Sequence, residues 1–131
     1  MAKFGYTMAY VDDVADELEF FTKTFDLKPK MVHPEGYYAE LDTGSTILSF
    51  VSRSAVSSSS IYEDIKEYVD NKQSGMEIAF LSDDIQQDYR NAIKNGAKPL
   101  RDPEETEWGQ VVSYVRTPQG LLLDICSKMD E

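Results

Sequence analysis

Apolar positions recur with two different periods along Gly75 to Pro99, GMEIAFLSDDIQQDYRNAIKNGAKP. Met76 to Leu81 is a short run rich in apolar and aromatic residues, as a strand requires, and Ser82, Asp83 and Asp84 follow it with side-chain oxygens suited to a helix start. Beyond them Ile85, Tyr89, Ala92 and Ile93 fall at i, i+4, i+7 and i+8, one face of a helix, and Gly96 offers a left-handed stop ahead of Pro99. The pattern predicts a strand followed by a capped helix.

The same plan occurs earlier, in GYTMAYVDDVADELEFFTKTFDLKP, where Val14, Leu18, Phe21 and Phe25 form the apolar stripe behind Asp12 and Asp13. Asp12 aligns with Asp83 at an offset of 71 residues, which sets Tyr6 against Glu77, and Ser49 aligns with Asp124 at an offset of 75. Two matches in order at nearly equal offsets point to an internal duplication of a βαβββ half.

Between and after these units the chain reads as short strands and turns. The first strand is expected over Lys3 to Val11, with Thr7, Ala9 and Val11 facing the helix and Tyr6, Met8 and Tyr10 facing away. In the second half Ile78 and Phe80 take the helix side, leaving Glu77, Ala79 and Leu81 on the other. Residues 31–52 hold two or three short strands, with a hairpin turn at Asp42-Thr43-Gly44-Ser45. SRSAVSSSS, Ser52 to Ser60, has no period and reads as a flexible connector. Ile61, Ile65, Tyr68 and Val69 then share one face of an acidic helix ending near Asn71. Arg101 to Gln110 reads as a polar loop holding Trp108. Val111 to Val115 is a strand, Thr117-Pro118-Gln119-Gly120 a turn, and Leu121 to Cys126 the last strand, with Leu122, Asp124 and Cys126 on one face.

With 131 residues, one chain of this kind can bury roughly two-thirds of the surface its unfolded form exposes. The formal charge of −11 repels phosphate backbones and anionic lipid, so nucleic-acid and membrane-surface roles are disfavoured and a cationic ligand is favoured. No run of about 18 apolar residues occurs, and the first residues lack the basic and apolar regions of a secretory leader; a cytoplasmic location is expected. The lone Cys126 sits in an apolar strand and reads as a buried, inert thiol. The lone His33 precedes Pro34 in a loop with no second histidine or cysteine beside it, and reads as a surface residue.

The duplicated βαβββ plan, the DDV and DDI helix openings, NGAKPL, the EWGQ loop and the closing RTPQGLLLDIC resemble the vicinal oxygen chelate superfamily of glyoxalase I, bleomycin-resistance proteins and extradiol dioxygenases. Thr117 stands where that family's turn usually has aspartate. The resemblance implies an α+β fold of two tandem βαβββ modules forming a curved mixed sheet around a cleft. It divides this chain into module 1 (3–53), a connector with a helix (54–73) and module 2 (74–128). It also implies a homodimer.

In catalytic members of such a family a divalent metal is held at positions that fall here on Tyr6, Ser49, Glu77 and Asp124. A phenol and an alcohol stay protonated at neutral pH and make poor donors, so only Glu77 and Asp124 remain for a metal. The reading preferred from the residues is therefore a metal-free binding protein for a small, cationic aromatic, drug-like molecule, in the manner of bleomycin-resistance proteins. Tyr6, Met8, Tyr10 and Trp108 would supply the walls, and Ser49, Glu77 and Asp124 the polar contacts. The alternatives are a divalent-metal lyase, isomerase or dioxygenase, and a metal-free acid–base enzyme in which Glu77 and Asp124 are the catalytic pair.

Overall fold

Two aspartates start the two long helices, and both do so through the side-chain acceptance that the sequence pattern called for. The computed structural model describes residues 4–71 and 75–128. Asp13 accepts the Asp16 N–H at the head of α1 (Val14–Phe25), and Asp84 accepts the Gln87 N–H at the head of α4 (Ile85–Lys94). Such a cap is worth about 1 kcal/mol. Gly96 leaves α4 at a φ of +107°, a left-handed conformation that glycine adopts without strain. Asp26 makes the same turn after α1 at +52°, with a side chain that tolerates it.

The chain divides into two compact units, Met1–Lys72 and Gln73–Glu131. Unit 1 runs β1 (Tyr6–Val11), α1, β2 (Lys28–Val32), β3 (Tyr38–Asp42), β4 (Ile47–Ser52), α2 (Arg53–Ser57) and α3 (Tyr62–Asp70). Its sheet has the order β1-β4-β3-β2, with β1 parallel to β4 and the other pairs antiparallel. Unit 2 runs β5 (Ile78–Leu81), α4, β6 (Lys98–Glu105), β7 (Val111–Arg116) and β8 (Leu122–Cys126), and its sheet has the matching order β5-β8-β7-β6. The α+β class and the βαβββ duplication hold in both units.

Each core lies between one sheet face and its helix. In unit 1 Phe21 of α1 stacks on Phe50 of β4 at 5.4 Å between ring centroids, and Phe20 meets Phe21 edge-on at 5.2 Å. Removing one such buried ring costs about 3 to 5 kcal/mol. Leu41, Ala39 and Val11 are fully buried beside them. In unit 2 Tyr89 and Ala92 of α4 are buried, together with Val115, Leu123 and Ile125 of the sheet.

Several elements depart from the sequence pattern. The first strand begins at Tyr6; Lys3 lies outside the described residues, as does 72–74 at the end of the expected connector. The buried face of α1 is Val14, Glu17, Phe20, Phe21 and Thr24, so Leu18 and Phe25 sit at its margin, half-buried. On α3 Val69 is buried whereas Ile61 and Tyr68 are exposed. Ser52 to Ser60 is not an unstructured connector: it contains α2, and Ser57, Ser58 and Ser59 hydroxyls donate to carbonyls three or four residues back. Arg53 fixes this segment by donating from Nε to the Val69 carbonyl (2.8 Å) and from a terminal nitrogen to Asp12 (3.1 Å), which ties α3 into unit 1.

The first half of the stretch read as a polar loop, Arg101 to Gln110, is strand: β6 continues to Glu105 and pairs with β7 through two register shifts. As an edge strand exposed on both faces it has no apolar alternation to read. The turn that follows, Thr106 to Gln110, closes by a Thr106 N–H to Gln110 carbonyl bond. His33 is a loop staple: its Nδ1 accepts the Glu35 N–H, its Nε2 bonds the Tyr37 hydroxyl, and the two rings lie 4.2 Å apart.

Candidate functional site

In each unit the sheet face turned away from the long helix carries the residues singled out by the repeat. Register defines a middle row across each sheet. In unit 1 it is Met8, Ser49, Glu40 and Met31, on β1, β4, β3 and β2. In unit 2 it is Ala79, Asp124, Tyr114 and Arg101, on β5, β8, β7 and β6. Ser49 and Asp124 therefore occupy the same rung, and Tyr6 and Glu77 each precede the β1 or β5 member of that row by two residues. The equivalence drawn from sequence offsets is the equivalence of the two ladders.

Unit 2 brings Glu77 and Asp124 together. Asp124 is 6% exposed, and its Oδ1 has no hydrogen-bond partner among the described residues. Burial, then a hydrogen bond shared with Glu77, then the Glu77 charge push its carboxyl from 3.8 up to about 6. Two carboxylates are both acceptors, so that bond exists only while the pair holds a proton.

Three further groups surround the pair. Tyr114, beside Asp124 on the row, has its phenol raised by burial and by the charges of Asp124 and Glu77. Burial and Asp124 push the Cys126 thiol up to about 11, which keeps it protonated and unreactive at neutral pH. Gln110 lies within hydrogen-bonding reach of Cys126, donates to the Ser127 carbonyl, and accepts from the Trp108 indole at 2.9 Å. Trp108, 62% exposed, is thus held at the end of this polar chain. Arg101, at the far end of the row, is turned to Glu104 at 2.8 Å.

Unit 1 places Tyr6, Met8 and Tyr10 on the same face as Ser49. Tyr6 is 52% exposed and Met8 38%, while Ser49 is fully buried and its hydroxyl donates to the Thr7 carbonyl at 3.2 Å. Tyr38 donates to Glu40 Oε2 at 2.7 Å, lies within reach of Ser49, and has its phenol raised by burial and by Glu40. Glu40, Tyr38, Tyr114 and Gln110 were not found by sequence reasoning. The alternation of the middle strands could have placed Glu40 and Tyr114 on these faces, but neither has a repeat counterpart of its own type.

The four-donor metal arrangement that the resemblance implies does not fit these residues. Ser49 gives its hydrogen to a backbone carbonyl inside the sheet, and among the described residues no three His, Cys, Asp or Glu side chains group closely enough to hold an ion. A groove of about 240 Å3 in unit 1 lies on the opposite side of its sheet, between α1 and β2, lined by apolar groups such as Leu18, Pro29 and Val32.

Two four-stranded sheets of matching strand order, each with one long helix on one face and, in the second, an acid pair on the other, define a duplicated βαβββ protein. The Glyoxalase/Bleomycin resistance protein/Dioxygenase superfamily model matches residues 3–125, and the chain belongs to that superfamily. Among solved structures it is similar to a glyoxalase-related enzyme from Fulvimarina pelagi, at 14% identity and a TM-score of 0.81 over 98% of this chain and 89% of that one. It is also similar to a glyoxalase/bleomycin resistance protein/dioxygenase family enzyme from Burkholderia phytofirmans PsJN, at 20% identity and a TM-score of 0.76 over 96% and 98%. TioX from Micromonospora sp. ML1 follows at 13% identity and 0.68 over 96% and 98%. At these identities the likeness is one of fold. No curated protein matches the chain. No helix among the described residues is long and apolar enough to cross a membrane.

Proposed function

We propose that this protein binds a small molecule without a resident metal, and that the ligand presents an N–H-bearing cation to Asp124. One observation carries the reading: Oδ1 of Asp124, buried in the sheet face of unit 2, has no hydrogen-bond partner among the described residues. A buried acceptor left unmatched costs about 1 to 3 kcal/mol, which a protonated amine would recover. Glu77 adds a second negative charge, Tyr114 and Trp108 supply aromatic surface, and Ala79 on the same rung leaves room beside the acid. The overall charge of −11 favours such a ligand at a distance. A role resembling bleomycin-resistance proteins, a cytoplasmic location and a homodimeric assembly complete the reading.

The test is thermal shift and calorimetry with arylalkylamines and with their neutral alcohol analogues. The amines should bind at pH 7.5 and the alcohols should not. Affinity should drop about tenfold at pH 5, because an acid of pKa near 6 is then only about one-tenth ionised. Asp124→Asn should abolish amine binding; unchanged affinity in that variant would sink the proposal.

A second reading rests on the same pair. An acid with a pKa of about 6 that shares a proton with its neighbour is suited to move protons near neutral pH, and two of the structural relatives are named as enzymes. In that case Asp124 is the base, Glu77 the partner that returns the proton, and activity would appear with an apparent pKa near 6 and vanish in Asp124→Asn.

A further inference from the structure

We propose that helix α3 is a docking face for a basic amphipathic helix of a partner protein. The face stands apart from the reading at Asp124, and unit 2 has no equivalent of it: α3 comes after the last strand of its unit, whereas no helix follows β8 among the described residues. Ile61, Ile65 and Tyr68 fall at i, i+4 and i+7 and so form one stripe along the helix. Ile61 immediately precedes α3 with helical backbone angles, φ −87° and ψ −11°, which carries the stripe back to the start of the helix. Ile61 is 56% exposed and Tyr68 75%, with Ile65 half-buried between them. Large apolar side chains grouped on one face in this way mark a contact surface.

Other residues hold α3 in place. Val69 is fully buried, its carbonyl accepts from Arg53 Nε at 2.8 Å, and the same guanidinium reaches Asp12 at 3.1 Å. Around the helix, Tyr62 and the buried Val69 border the stripe on one side, and Asp64 and Glu67 border it on the other. Charge then decides what can cover it. Lys66 pairs with Glu63 and the Tyr62 hydroxyl donates to Asp70, whereas Asp64 and Glu67 pair with no cation among the described residues. The spacing of the stripe makes Ile61, Ile65 and Tyr68 the d, a and d positions of a heptad, with Asp64 at g and Tyr62 and Val69 at e. A second copy laid antiparallel would set Asp64 against Asp64. Laid parallel, it would need the e side, which Val69 turns into unit 1. A helix with apolar a and d positions flanked by lysine or arginine meets both the stripe and the unpaired acids. With only 9 residues in α3 the contact is smaller than the roughly 1,200 Å2 of a standard interface, so a weak and reversible complex is expected.

The probe is a synthetic helical peptide with leucine at a and d, lysine at e and g, and glutamine elsewhere. Titrated into the 15N-labelled full chain at pH 7.5, it should shift the amides of α3 saturably, with a Kd below about 1 mM. A shuffled peptide of the same composition, which keeps the charge and loses the stripe, should not, and neither should the peptide with glutamate in place of lysine. Tyr68→Ser should raise the Kd at least about tenfold, while Tyr68→Phe keeps it. Asp64→Lys should weaken the lysine peptide at least about threefold and admit the glutamate peptide. Shifts scattered over the acidic surface, or an unchanged Kd in Tyr68→Ser, overturn the proposal. If that variant does not fold, an unchanged Kd in Ile61→Ser does so. Shifts of the α3 amides that grow with protein concentration in the absence of peptide would make a second copy the occupant and overturn it as well.

Discussion

Met8, Ser49, Glu40 and Met31 cross the sheet of unit 1 on the rung where Ala79, Asp124, Tyr114 and Arg101 cross that of unit 2. The ladders are alike, and the residues filling them differ at every strand. In unit 2 the acid lies on β8, between β5 and β7, is almost fully buried, and leans on a second acid. In unit 1 that position is a serine whose hydroxyl is spent on the backbone, and the acid stands on the other interior strand, β3, half-buried and held by a phenol. The comparison teaches that duplication fixes where a side chain points, while the strand it sits on sets how strongly its charge is felt.

Ser49→Asp is the harshest way to break that comparison. It rebuilds the unit 2 arrangement in unit 1, with a fully buried carboxylate directly opposite Glu40. A loss of about 3 kcal/mol or more is expected at pH 7.5, from desolvation and like charge together. The new acid would have its pKa raised, so its ionisation penalty should fade as the acid is protonated. Denaturant unfolding at pH 7.5 and pH 4.5 measures this, and an equal loss at both would mean that shape rather than charge is responsible.

Asp124→Asn tests the other half. Because the folded carboxyl titrates at about 6 and the unfolded one near 3.8, the native state binds more protons in between. The resulting stabilisation is fully present below about pH 4 and is lost as pH rises through 6, a change on the order of 3 kcal/mol. Asparagine keeps the shape, can donate to Glu77 and does not ionise. The variant should be the more stable protein at pH 7.5 by that order, with the difference closing towards pH 4, while amine binding is gone. Stability and binding would then oppose each other at one atom, as they do where a site is held unsatisfied for its ligand.

What the sequence made readable follows from how each element is stabilised. Asp12-Asp13-Val14 and Asp83-Asp84-Ile85 announce both helix starts because capping is local, and the structure places Asp13 and Asp84 at the caps. The repeat offset located Tyr6, Ser49, Glu77 and Asp124 on the correct faces because strand alternation propagates from one aligned residue. It could not find Glu40 or Tyr114, whose importance comes from a cross-strand neighbour some ten residues away, and whose types differ between the units. Edge strand β6 and helix α2 were hidden for a related reason. One is polar on both faces, and the other is a serine run in which Arg53, through Val69 and Asp12, holds a segment of weak intrinsic preference.

The smallest effect separates the turns that join the last two strands of each unit. In unit 1 the exposed Asp42 accepts the Gly44 N–H, whereas in unit 2 Thr117, 3% exposed, accepts the Leu121 N–H through Oγ1 at 2.9 Å while its own N–H donates to the Leu121 carbonyl. Threonine supplies this acceptor without burying another charge within a chain of −11. Thr117→Val keeps the volume and leaves the Leu121 N–H without this acceptor, so a loss of about 1 kcal/mol is expected in denaturant unfolding. Asp42→Ala, where water can replace the lost oxygen, should cost less than about half of that. Equal costs would show that the two turns depend on their backbone geometry alone, with φ of +98° at Gly44 and +93° at Gly120 already fixing the reversal.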